Sequence, residues 1–241
     1  VALFNGFGGA ASALVAAFEG FRRIEENTFP TYLELYVAWI AIGLSALVGW
    51  MTLTGSLLAM MKLKGGVELF GTWYRTPTWG PGWLNYVKGI FLIAIVALIY
   101  MSIEEPGNQN YVIGIIVLSC ILGILFVLPI GGADMPVVVS LLNSLSGIAA
   151  AFTGFIISNN VLIIAGSMVG AAGLILTNIM CKAMNRQLID VLFKSFGGSD
   201  KEQVTRTKVG SDPEEVAMIC DGISKCVIVP GYGMAVSQCQ H

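Results

Sequence analysis

Between Asp134 and Lys182 the chain carries no Asp, Glu, Lys, Arg or His. The only interruption is the polar trio Ser158, Asn159 and Asn160. A run of this length is two hydrophobic helices back to back, each close to the roughly 20 residues that a bilayer span requires. The polarity inside them is sparse and periodic. In the first helix Ser140, Asn143, Gly147, Ala151 and Gly154 recur every three or four residues, which predicts one shared face. In the second, Gly166, Gly170, Gly173 and Thr177 do the same, and Gly166 to Gly170 is a GxxxG pair. Small faces let helices approach closely in lipid, where no hydrophobic force draws them together. Packing accounts for the glycines. For Asn143 packing and function stay open, because an amide near the middle of a span costs more than an alanine and is retained for a partner or a polar pathway.

The rest of the chain is of the same kind. Of 241 residues 56% are hydrophobic and 12% charged, with mean hydropathy +0.78. A soluble domain carries about 25% charge, so most of this chain is expected in lipid. A net charge of −2 offers nothing to nucleic acid. The five cysteines (Cys120, Cys181, Cys220, Cys226 and Cys239) form no CxxC pair, and the only histidine is His241. Neither disulfides nor a metal are expected, although Cys226 and Cys239 flank a candidate binding loop. No Ser/His/Asp or Cys/His constellation is legible.

Six spans are predicted: about 1–18, 35–61, 87–103, 111–130, 135–157 and 161–181, making residues 1–184 a transmembrane helix bundle. In the first, Asn5, Gly9, Ser12, Ala13 and Ala16 share a face; in the second, Gly43, Ala46 and Gly49 do. Residues 19–34 read as a charged loop. Residues 62–88 read as a longer one, whose Trp73, Tyr74, Trp79, Trp83 and Tyr86 suit the headgroup zone. Loops on one side hold only Arg22 and Arg23, whereas Lys62, Lys64, Arg75, Lys88, Lys182, Arg186 and Lys194 fall on the other. Positive charge stays inside, which places the tail, and Asp134, on the cytoplasmic or matrix side. The chain opens inside an apolar stretch without Met and closes a few residues into a new helix, so it is expected to be a piece of a longer polypeptide.

Beyond Lys194 the composition changes. Residues 185–210 read as a linker. Ser211 and Glu214 form a capping box with Pro213 in the first turn, the signature of a helix start. KCVIVPGYGMAV then reads as strand, glycine turn and helix start, with Gly231-x-Gly233-x-x-Val236 as a variant of the GxGxxG fingerprint. The first glycine permits a tight turn; the second lets backbone approach a pyrophosphate at a helix N-terminus. Without its context that match is weak.

GGADMPVVVSLLNSLSG, NIMCKAMNRQLIDVLFKSFGG and PGYGMAVSQCQ together resemble the proton-translocating NAD(P) transhydrogenase family, in its beta subunit or the equivalent part of a fused chain. The resemblance implies an all-α polytopic bundle followed by the start of an α/β Rossmann-like NADP(H)-binding domain at 211–241. It implies NADP(H) contacts at Gly231, Tyr232, Gly233, Met234, Ala235 and Val236. It implies NAD(H) on a partner domain or alpha subunit outside this chain, and a dimer of the whole enzyme in a bacterial cytoplasmic or mitochondrial inner membrane. Hydride transfer would run between the cofactors, so no side chain here is catalytic, and the chain by itself is expected to be inactive. Its contribution would be the proton path and coupling, with Asp134, Asn143, Asn5 and Ser144 as candidates. Asp134 also suits a helix N-cap, since Pro136 follows it. Many members of the family carry a histidine at the position of Asn5; the departure puts a titrating imidazole in doubt. The competing class, a transporter or channel subunit with a nucleotide-binding regulatory tail, explains the helices but leaves the KCVIVPGYGMAV segment without a purpose.

Overall fold

A computed structural model describes residues 1–26, 32–69, 72–74, 80–105, 108–184, 187–193, 221 and 225. The chain divides into two units, Val1–Ser199 and Asp200–His241. In the second only Asp221 and Lys225 are described, so the expected NADP(H) loop, Gly231 to Val236, lies outside the described residues.

The first unit holds helices α1 (Ala2–Glu26), α2 (Tyr32–Leu63), α3 (Leu84–Glu104), α4 (Gln109–Val127), α5 (Met135–Ile156) and α6 (Asn160–Ala183), then the short α7 (Leu188–Phe193). The first six are long and apolar enough to cross a membrane. Strands β1 (Val67–Leu69) and β2 (Thr72–Tyr74) pair antiparallel between α2 and α3, with Glu68 opposite Trp73. That hairpin and α7 are ordered where the sequence predicts only a loop and a linker.

The ends of the helices have local causes. The first helix does not stop at Phe18. Glu19 receives Arg22 at 2.7 Å and Arg23 at 2.9 Å; these partners lie three and four residues on, so the charges stabilise the helix they were expected to end. The fourth stops at Val127, short of the expected Ile130: Leu128 still has helical backbone (φ −54°, ψ −45°), but Pro129 has no N–H to continue the helical hydrogen bonds. Asn108 and Asn159 cap α4 and α6, their side chains accepting from Asn110 N and Leu162 N at 3.1 Å. Between α5 and α6 the chain reverses through Ser158 at φ 54°, the left-handed region that a tight reversal uses.

Close glycine contacts set the packing. A Cβ on Gly166 would come 2.5 Å from Ala151 N, and one on Gly147 would come 2.7 Å from Gly170 N. These two backbones therefore touch directly along α5–α6, as the periodicity predicted for α6. On α1–α2, Gly9 and Gly49 meet in the same way, each with its Cβ direction blocked by the other's carbonyl at 2.9 and 2.6 Å. The expected shared face of α2 divides between neighbours: Gly49 meets α1, whereas Gly43 takes Ile99 of α3. Two apolar clusters fill the interior. One centres on Trp39, Ile42, Ile95, Ile99 and Ile115; the other, near the start of α5, on Val127, Met135, Val138, Leu142 and Cys181.

Candidate functional site

Pairwise contacts fix how the helices run. Thr54 on α2 bonds the Cys120 carbonyl on α4, and Lys62, two turns further on, reaches the carbonyls that end α4. Helices α2 and α4 are thus parallel, with their C-termini at one end of the bundle. Asn5 meets α5 at Val139 and Thr153 meets α1 at Ser12, so α1 and α5 are parallel as well. Ser140 and Ser144 on α5 meet Thr177 and Gly170 on α6, which makes that pair antiparallel.

At the end where α5 starts, Asp134 is only 8% exposed and closes a single 3-10 turn, Gly132–Asp134. It occupies the N-cap position of α5 with Pro136 in the first turn, but its side chain makes no cap hydrogen bond and its backbone is helical (φ −91°, ψ −1°). The expected capping role is therefore filled in place but not in chemistry. The same end holds two lysines. Lys62, also 8% exposed, donates to the carbonyls of Val127 at 3.0 Å, Leu128 at 2.5 Å and Ile130 at 2.8 Å. An ammonium has three protons, and each finds an acceptor. It also sits where two parallel helices end, the negative pole of both dipoles. Lys88 is buried nearby, its Nζ 5.8 Å from the Phe126 ring centroid. Neither burial is legible in the sequence, where both lysines fall in an expected loop.

The candidate residues of the spans separate into two rows on α5. Ser140, Ser144, Gly147, Ala151 and Gly154 face α6. Ser144 is fully buried and donates to the Gly170 carbonyl at 2.5 Å. Thr177 lies 2.9 Å from Ser140 Oγ and also donates to the Gly173 carbonyl at 2.7 Å. Asn143, three residues from Ser140 and four from Gly147, lies at the edge of that row by helical spacing. Spacing puts it between Val139 and Ser146, which face α1. The Asn5 side-chain amide donates to the Val139 carbonyl at 3.1 Å, and Ser146 is the neighbour of Gly8. Asn5 and the turn of α5 that carries Asn143 are thus adjacent. Asn5 is buried and Asn143 is half-buried, and Ser146 donates to the Asn143 carbonyl at 2.7 Å.

Next to Asn5 in the chain, Gly6 packs against the Ser56 Cβ of α2, and the Ser56 hydroxyl has no hydrogen-bond partner among the described residues. Further along, Ser12, Ser45 and Thr153 bring polar groups to the junction of α1, α2 and α5. Ser45, Ser56 and Thr153 carry no signal in the sequence. A lone hydroxyl in a span is common, and only the helix packing shows which of them converge. Beyond the junction, α1 carries the buried Glu19 with its two arginines. Carboxylates therefore stand at both ends of the bundle, with Asn5 and the Ser12, Ser45 and Thr153 groups lying between them.

Such an arrangement suits the passage of small polar species. A family model for the NAD(P) transhydrogenase beta subunit matches residues 1–241. Two curated relatives carry the description "NAD(P) transhydrogenase subunit beta", one from Rhodospirillum rubrum and one from its strain ATCC 11170. Each is 40% identical over 208 residues, which is 84% of this chain and 43% of the relative. The chain thus spans less than half the length of these relatives. On the match over all of its residues, this chain belongs to the NAD(P) transhydrogenase beta subunit family.

Proposed function

We propose that this chain is the membrane and proton-translocating part of an NAD(P) transhydrogenase, coupling hydride transfer between NAD(H) and NADP(H) to proton movement. The observation that carries the reading is the family match over the whole chain, together with the buried Asn5 and buried hydroxyls within a set of six membrane-length helices among the described residues. A transporter or channel subunit would use the same helices, but the family match disfavours it. NADP(H) is assigned to the segment opening at residue 211, with Gly231, Tyr232, Gly233, Met234, Ala235 and Val236 at its pyrophosphate; NAD(H) is assigned to a partner subunit. The cofactors supply the hydride chemistry, and the bundle supplies the proton path.

Asp134 takes the proton at the end of the bundle where α5 begins. Asn5 commits its amide N–H to the Val139 carbonyl, which leaves its carbonyl oxygen as an acceptor. An amide does not titrate near pH 7, so Asn5 orients a mobile water and does not carry charge. Asn143, one turn beyond Val139 on α5, is assigned to the same path. Ser144 tightens the α5–α6 contact behind them. Coupling is a free-energy linkage: protonation in the bundle and NADP(H) affinity in the following domain bias one equilibrium. The excess of lysine at the Asp134 end supports a cytoplasmic or matrix location for that end and for the tail.

The test is NADH-driven reduction of an NADP analogue by the intact enzyme in sealed membrane vesicles. Reduction that generates a proton gradient, and whose rate responds to an uncoupler, is expected. Solute flux without nucleotide-dependent proton movement would favour the transporter instead.

A further inference from the structure

Two lysines meet the end of α4, and only one of them is satisfied there. Lys62 gives its three protons to the carbonyls of Val127, Leu128 and Ile130. Lys88 of α3 is buried as deeply, at 7% exposed. Its ammonium meets only Asn85 Oδ1, at 3.5 Å, and the face of the Phe126 ring, 5.8 Å from the centroid. A ring face attracts a cation without taking a full hydrogen bond. Two of the three Lys88 protons therefore lack an acceptor among the described residues. A buried charge in that state is costly unless a counter-charge completes it.

The surroundings add to that need. Lys88 leans back to Asn85, toward the start of α3, where the helix dipole is positive. The first turn of α3 carries no acidic residue. The end of α4 offers no relief, because Lys62 already holds its carbonyls. The place also has an opening at the depth of lipid headgroups. Trp83 and Tyr86 are exposed beside it, as rings of the interfacial belt are, and the contact of Lys88 with Asn85 is only partly buried. Gly82 and Gly89 flank Asn85, and among the described residues nothing would lie within 4 Å of a Cβ on either. They leave a notch beside the ammonium. On the same side of α3, one and two turns further into the membrane, Ile93 and Val96 are exposed and apolar.

We infer that Lys88, at the start of α3, binds the phosphate of an anionic phospholipid in the leaflet at the Asp134 end, with the acyl chains along Ile93 and Val96. A phosphate diester brings one negative charge and free oxygens to the two unbonded protons. Basic pockets between membrane helices take lipid headgroups in this way, and Lys88 lies between α3 and α4. The headgroup carries a net negative charge, since a choline would return a cation to the same place. A lipid suits the site better than free phosphate because exposed apolar surface continues directly from the notch. Helix α3 packs on α2 and α4, so the site stands apart from the proton path assigned to α1 and α5.

The test is the unfolding midpoint of the intact enzyme in phosphatidylcholine nanodiscs carrying increasing phosphatidylglycerol. A ligand of the folded state raises the midpoint with its concentration, and wild type should show that rise. Lys88→Met keeps the apolar stem, removes the charge and should lose most of the rise; Lys88→Arg should keep it. Lys62→Met should lower the midpoint itself but leave the rise intact, because the Lys62 protons are already held. An equal rise in Lys88→Met and wild type would overturn the site. So would an equal loss in Lys62→Met or Lys64→Gln, since the lipid would then answer to the general field of this end. Inorganic phosphate added to phosphatidylcholine nanodiscs should leave the midpoint unchanged; a rise matching that of phosphatidylglycerol would overturn a lipid ligand. If Lys88→Met does not fold, a phosphatidylglycerol bearing a photoreactive headgroup is applied to the wild-type enzyme. It should label residues 82–89, and labelling spread evenly over the other lysines of this end would overturn the proposal.

Discussion

Asn5 shows how one side chain is given its task by its surroundings. It is buried and donates across to the Val139 carbonyl of α5, one turn before Asn143, and the next residue, Gly6, packs on Ser56, whose hydroxyl has no partner among the described residues. A water in such a space keeps partners only while those groups are polar. Asn5→Leu should therefore dry the site and abolish pumping in proteoliposomes, with nucleotide affinity changed only through the linkage. Asn5→His should retain at least partial coupling, since imidazole both bonds and titrates. Full pumping by the leucine variant would show that the path runs elsewhere. At Asp134 the expectation differs, because the carboxylate stands at a helix start without serving as a side-chain cap. Asp134→Asn should weaken coupled transhydrogenation more than it weakens NADP(H) binding measured by calorimetry on the intact enzyme. Equal losses would reduce the residue to a structural one. Position 134 is legible in the sequence as a lone carboxylate before an apolar run. Its departure from capping is not, since that depends on backbone angles.

At the scale of elements, the end of α4 depends on a residue from α2. A helix leaves its last four carbonyls without intrahelical donors, and in a bilayer water does not reach them freely. Lys62 supplies all three of its protons to Val127, Leu128 and Ile130, and so holds the segment that leads through Gly131 and Gly132 into Asp134. Lys62→Met keeps the apolar stem and removes the donors. It should cost about 2–3 kcal/mol, the scale of hydrogen bonds to a charged group, read as a lower unfolding midpoint of the detergent-solubilised enzyme. Lys62→Arg, which still donates, should lose less. Equal stability of Lys62→Met and wild type would mean that the carbonyls find other donors. The same scale explains where periodicity succeeded and where it failed. Gly166, Gly170, Gly173 and Thr177 have one neighbour, α5, so one face describes them. Gly43 and Gly49 have two, α3 and α1, and a single face did not.

For the whole molecule, alternation of six helices gathers Lys62, Lys64, Lys88 and Lys182 at the end that holds Asp134, and Arg22 and Arg23 at the other. Charge asymmetry of this kind orients a bundle. Lys64→Cys, in an exposed turn after α2, should resist an impermeant thiol reagent in sealed right-side-out vesicles of a background without other accessible cysteines. It should react once they are permeabilised. Ready labelling of intact vesicles would invert the topology and, with it, the side assigned to Asp134.

The long uncharged runs by themselves determined that this chain is a bundle of membrane-length helices, because a bilayer tests only length and apolarity. Spacing also determined which residues share a face on α6, because helical geometry alone sets that. Tertiary structure decided what those faces meet. It set Asn5 against the Val139 turn of α5, buried Lys62 where α2 and α4 end together, and brought Ser12, Ser45 and Thr153 to one point from three helices. It also continued α1 through Glu19, since a carboxylate that reads as the start of a loop becomes part of a helix once two arginines follow on the same face. In lipid apolar burial distinguishes these partners poorly. They are selected by close backbone approach and by the need of each buried polar group for a donor or acceptor, and both depend on positions distant in the chain.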